Sequence, residues 1–137
     1  MTNHNHNHIN IKLRAFDGTL FWYSNTKFEF LNPLTSNIVS LQNAPFDFED
    51  LELFSGLYDN STPKKEIFVN DVVSFLNFEE TMNQGQKVYA TGFVEFLNGQ
   101  FLINSKELGH QSLYGATNVT IIGYHNPHYI IWVFKMY

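Results

Sequence analysis

The chain has 137 residues, 44% hydrophobic and 15% charged, with 8 Lys and Arg against 13 Asp and Glu for a net charge of −5. So much apolar residue with so little charge excludes a disordered chain, and the length predicts one domain able to bury a core without disulfides or metal. The absence of cysteine excludes thiol catalysis and thiolate zinc sites, and the single arginine, Arg14, argues against a nucleic-acid binder, because phosphate recognition favours clustered guanidinium groups.

Aromatic residues make up 17% of the chain, so a core of flat rings is expected. The longest apolar stretch, Tyr129 to Phe134, falls far short of the ~20 residues a membrane helix needs. No basic segment followed by an apolar run opens the chain, so no signal peptide is predicted and the cytoplasm is the expected location.

In chain order, Met1 to Asn10 alternates Asn with His4, His6 and His8. Extended, the three imidazoles share one face, a pattern that suits nickel or zinc. The reading adopted is a solvated tail, or the remnant of a purification tag, without functional metal binding.

Asp17-Gly18 then predicts a hairpin with a two-residue type I′ turn, pairing Phe16 with Thr19. One face carries Ile11, Leu13, Ala15, Leu20 and Trp22; the other carries Lys12, Arg14, Phe16, Phe21 and Tyr23. Arg14 then lies opposite Phe21, in reach of a cation–π contact.

Strands are expected over 27–31 and 38–41, one or two helical turns over the acidic stretch 45–53, and a turn about Gly56 over 54–60. Further strands are expected over 66–69, 72–76 and 87–90. Asn98-Gly99 predicts a second two-residue hairpin. Its core face is Val94, Phe96, Phe101 and Ile103, and its half-wet face Phe93, Glu95, Leu97, Gln100, Leu102 and Asn104. Residues 105–115 are the remaining helix candidate.

The expected fold is mainly β: antiparallel hairpins, an SH3-like small barrel over about 64–104, and one or two short helices. Residues 1–10 form a tail and 11–137 a single domain.

Motifs for phosphate loops, zinc proteases and serine hydrolases do not occur. His125 and His128 flank Asn126-Pro127, which breaks any shared helical face. Glu79-Glu80 reads as a solvated loop, and Asp71 as a turn carboxylate bonding backbone N–H groups. No catalytic residue, metal site or cofactor is predicted.

Three groups carry the binding expectations. Asp47, Glu49, Asp50, Glu52 and Asp59 concentrate negative charge, a field that imitates nucleic acid toward a basic partner. Arg14, Phe16, Phe21 and Tyr23 form a stacking face suited to a base. At the C-terminus, Ile130, Trp132, Phe134 and Met136 alternate with residues that are also largely apolar. Such a strand is either central in a sheet or an interface strand, and with Trp132 and Phe134 as anchors a homo-oligomer is expected.

Several stretches together resemble the YopX family of phage and prophage proteins. They are Leu13-Arg14-Ala15-Phe16-Asp17, Leu51 to Asp59 (LELFSGLYD), Lys65 to Val73 (KEIFVNDVV), Gly92-Phe93-Val94-Glu95-Phe96 with Gly99-Gln100-Phe101, and Val119 to Gly123 with Asn126-Pro127. The resemblance covers about residues 11–128 in order; it departs at Gly18, at Asn70 in place of a glycine, around Pro63, and in the tail 129–137.

The resemblance implies a phage-encoded or prophage-encoded, small β-rich protein and carries over no catalytic residue. The function it suggests is that of a non-enzymatic accessory protein in the host cytoplasm, binding a host protein as an anti-defence inhibitor. The alternatives are a small-molecule or nucleotide-binding module and a virion component.

Overall fold

In the computed structural model, which describes residues 12–24, 29–31, 38–41, 44–126 and 133–134, the first hairpin closes in a different register from the expected one. β1 (Leu13–Phe16) pairs with β2 (Phe21–Tyr23), setting Phe16 opposite Phe21, Ala15 opposite Trp22 and Arg14 opposite Tyr23. The Asp17 carboxylate explains the four-residue loop. It accepts the backbone N–H groups of Thr19 and Leu20, each at 2.7 Å, and the indole N–H of Trp22 at 2.8 Å. The shift moves pairing by two residues, so the side chains keep their faces. Among the described residues only Leu20 leaves the expected apolar face, becoming an exposed loop residue, while Ile11 lies outside the described residues.

The chain forms two compact units, Met1–Phe54 and Ser55–Tyr137. In the first, Leu13, Ala15 and Leu41 make a small buried cluster against which Trp22, Phe46, Leu51 and Leu53 pack. Burying an aliphatic or aromatic side chain of this size contributes about 1.5–3 kcal/mol. β3 (Glu29–Leu31), β4 (Ile38–Leu41) and β5 (Ala44–Asp47) form an antiparallel meander, with strands where 27–31 and 38–41 are expected. The acidic stretch supplies β5 and one 3₁₀ turn, Phe48–Asp50, in place of α-helical turns. β6 (Glu52–Tyr58) starts beside β1, with Leu53 opposite Leu13 and Glu52 opposite Arg14. Gly56, at φ +83°, lies within this strand and makes no turn of its own.

β7 (Glu66–Phe68) neighbours β6. Six strands build the sheet of the second unit: β8 (Asp71–Leu76), β9 (Tyr89–Leu97), β10 (Gln100–Ser105), β11 (Gly109–Ser112), β12 (Thr120–Tyr124) and β13 (Val133–Phe134), in the order β11-β10-β9-β8-β12-β13. The fold is mainly β with antiparallel sheets, one of them curled into half a barrel. Ile67, Val73, Phe75, Ala90, Val94, Ile103, Leu113 and Val119 are the core of this unit. The six-stranded sheet thus continues well past residue 104, where the expected barrel ended.

The second hairpin closes in the predicted register, but Phe96, expected on its core face, is 43% exposed: it sits next to the turn, against Phe101 and beyond the core that holds Val94 and Ile103. Leu97 faces Gln100, Phe96 faces Phe101 and Val94 faces Ile103, with Asn98 at φ 51° and Gly99 at φ 80°. Gly92 serves a different purpose, because a Cβ there would stand 2.5 Å from the Asn104 carbonyl oxygen and 2.7 Å from Ile103 Cγ2.

Two local expectations are corrected. Residues 105–115 form no helix: Ser105 Oγ donates to Glu107 Oε1 (3.0 Å), Gly109 takes φ 71°, and the chain turns into β11. Glu79 and Glu80 lie in α1 (Phe78–Gln84) and not in a loop, because Asn77 Oδ1 accepts the Glu80 N–H at 3.1 Å and Gly85 ends the helix in the left-handed region. Among the described residues β13 is the last strand of its sheet, with Phe134 opposite Gly123 and Val133 opposite Tyr124, so no described strand gives this part of the C-terminal segment a central position. No described helix is long and apolar enough to cross a membrane.

Candidate functional site

The residues expected to bind fall into two classes, those that the fold consumes and those that it leaves at the surface. Arg14 belongs to the first. It is 4% exposed, its Nε donates to Glu52 Oε1 at 2.7 Å, and its guanidinium carbon lies 4.3 Å from the centre of the Phe21 ring. The cation–π contact forms as predicted, now diagonally across the strand pair, since Tyr23 occupies the position opposite Arg14. Phe16 and Phe21 stand 5.0 Å apart, and Phe21 and Tyr23 6.3 Å apart. The ring face therefore exists, but Phe16 is buried and the charge of Arg14 is balanced by Glu52.

The acidic stretch divides in the same way. Asp47 and Glu49 are exposed and Asp50 is half-buried. Glu52 and Asp59 are buried, which corrects their assignment to a solvated acidic face. Asp59, 1% exposed, accepts from Ser61 N–H (3.1 Å), Ser61 Oγ (2.8 Å), Lys65 N–H (2.9 Å) and Ile121 N–H (3.0 Å). Burial acts to raise the pKa of this carboxyl, but the hydrogen bonds from Ile121, Lys65 and Ser61 outweigh it, and the group ends below its ordinary value. It is a clamp between chain segments of the second unit.

Asp71 likewise accepts the Phe68 N–H at 2.8 Å across the β7–β8 turn, the backbone-bonding role expected of it. Asp17 titrates below its ordinary value, held there by the Leu20 N–H, the Trp22 indole and the Thr19 N–H. Trp132, His128 and the histidines of the tail lie outside the described residues, and Phe134 is described through its backbone alone. Among the described residues no group of three or more His, Cys, Asp or Glu is placed to hold a metal ion.

What the sequence reading missed is the surface around α1. This helix buries none of its residues. Phe78 and Met82, one helical turn apart and so on one face, are 57% and 82% exposed. Beside the helix start lies a groove of about 430 Å³, floored by Phe75, Leu76, Leu108 and Ala116 and bordered by Phe78 and Glu79. Tyr114, adjacent to the groove residue Gly115, is 86% exposed. Glu79 is the one charged side chain lining the groove.

A signal for this helix was present in Asn77-Phe78-Glu79-Glu80, which matches the capping pattern of Asn followed three residues later by Glu. Its exposed apolar face was not legible, because helix period does not say whether a stripe finds a partner.

No protein-family model, curated protein or solved structure matches the chain.

Proposed function

We propose that the chain is a non-enzymatic accessory protein of a phage or prophage that acts by binding a host protein, and that it docks through the groove beside α1. The observation that carries this reading is that Phe78, on the border of a mainly apolar groove, is left in solvent, with exposed Met82 one helical turn away and exposed Tyr114 next in sequence to the groove residue Gly115. Exposed apolar surface of this kind marks interaction sites, and Met and aromatic residues are enriched at the centres of interfaces. Glu79 on the rim complements a partner that presents a Lys or Arg beside an apolar anchor. The phage origin rests on the resemblance of residues 11–128, and inhibition of host defence is the role that this origin suggests.

The test is affinity capture from host lysate with the wild-type chain and with a Phe78→Ser/Met82→Ser double variant. A stoichiometric basic partner retained by the wild type and lost by the variant, at unchanged thermal midpoint, is the expected result. Equal capture by both chains, or no partner for either, overturns the proposal. The same reading makes residues 129–137 the self-association segment, since among the described residues β13 ends its sheet at an edge and edge strands invite pairing with another chain. Removing Tyr129 to Tyr137 is then expected to leave a folded monomer by light scattering, and an unfolded product refutes this part.

A further inference from the structure

A second cleft lies on the face of the six-stranded sheet that points away from the core. Its floor is a cross-strand row in which Val72 faces Phe93 and Phe93 faces Asn104. Thr91, Gly92, Lys106 and His125 complete the lining of this open cleft, whose volume is about 310 Å³. That volume sits at the lower end of the range for small-molecule sites, which is ~300–1,000 Å³.

We infer that this cleft binds a planar aromatic ring carrying a single negative charge. The ring is recognised by Phe93 and His125, whose own rings lie 4.9 Å apart at 31° and form a tilted aromatic pair in the lining that Val72 shares. Offset and tilted packing of this kind suits a third flat ring. The charge is recognised by Lys106, the one lysine or arginine that lines the cleft. Asn104 and Thr91 supply an amide and a hydroxyl in the lining, which orient polar substituents on the ring.

The neighbouring charges limit the ligand to a monoanion. Glu107 is held beside the cleft, its Oε1 accepting from Ser105 Oγ at 3.0 Å and from the Thr91 N–H at 3.5 Å. Glu95, further along the same face, is engaged by His110 Nε2 at 3.2 Å. One lysine beside a fixed carboxylate favours a carboxylate over a doubly charged phosphate, because each added negative charge also meets Glu107. This site is separate from the groove beside α1, and the inference does not depend on the proposed docking there.

The experiment is an NMR titration of the full chain with four probes: indole-3-acetate, AMP, neutral indole and inorganic phosphate. Indole-3-acetate is expected to shift the signals of Phe93, Lys106 and His125, and to bind more tightly than either indole or AMP. Lys106→Gln and Phe93→Leu, changes at an exposed cation and at a ring face, are each expected to weaken it by on the order of tenfold. No saturable shift with indole-3-acetate overturns the inference. So does binding that both variants retain, or binding of phosphate alone as strong as that of the aromatic acid; tighter binding of AMP overturns the monoanion assignment.

Discussion

Two hairpins in this protein begin from nearly the same signal and end differently. Asp17-Gly18 and Asn98-Gly99 each place an Asx residue before a glycine between apolar strands. The second closes as a two-residue turn, with Leu97 opposite Gln100. The first opens into a four-residue loop, with Phe16 opposite Phe21. The difference lies in what the Asx side chain binds. Asp17 gathers two backbone N–H groups and an indole N–H, and so stabilises a loop wide enough to present them. Asn98 instead takes a left-handed backbone angle, φ 51°, and the tight turn follows. A turn dipeptide therefore names the place of a reversal, while the side-chain acceptor decides its length.

The two units differ in the same sense in how they bury a carboxylate. Glu52 is balanced by a cation, Arg14, whereas Asp59 is balanced by backbone N–H groups and a serine hydroxyl. The largest effect is expected from breaking the first arrangement. Glu52→Leu leaves the Arg14 charge buried without its carboxylate, and loss of one partner from a buried pair costs ~3–5 kcal/mol. Urea unfolding is expected to show that loss; a change below ~1 kcal/mol means that Arg14 finds water or another acceptor.

Asp59→Asn is expected to cost less, about 2 kcal/mol, since the amide keeps one acceptor oxygen but loses the charge-assisted bonds. The sign with pH follows from the direction of the shift. The folded-state pKa lies below the unfolded one, so the Asp59 contribution is present above the ordinary carboxylate value and is lost as pH falls through the folded value. Wild type and variant should therefore converge in stability in acid, below about pH 4. A difference that stays constant from neutral pH down through that range contradicts the clamp.

Gly99→Ala tests the tight turn. A Cβ at Gly99 meets nothing within 4 Å, so the cost is that of φ 80° alone, roughly 1–2 kcal/mol. If thermal melting shows no loss, the left-handed angle is not what holds this hairpin. The smallest effect is expected at Asp17→Asn, which makes the two turn dipeptides identical. Its amide oxygen still serves the Thr19 and Leu20 N–H groups, both of which bond to the same Asp17 oxygen, and only the Trp22 bond is lost. The Phe16–Phe21 pairing should persist in cross-strand NMR contacts, with faster hydrogen exchange at the Trp22 indole. A switch to Phe16–Thr19 pairing shows that the carboxylate charge, and not its geometry, sets the loop.

Periodicity and turn residues determined much of this protein without help from the fold. The mainly β class, the alternation of side chains along both hairpins and the Arg14–Phe21 contact follow from local rules that act over a few residues, although alternation did not tell that Phe96 stays exposed. Alternation survives a two-residue slip, which is why the faces were right where the register was not. Tertiary structure alone decided the fate of each charged or apolar candidate. Nothing near Glu52 in sequence announces Arg14 as its partner, 38 residues away, and nothing near Asp59 announces the Ile121 N–H, 62 residues away. Phe78 and Met82 carry a helical stripe that reads as core, yet they remain exposed because no described element packs over them. Burial is a property of what arrives from elsewhere in the chain, and so the sequence located the strands while the fold chose which side chains were left to bind.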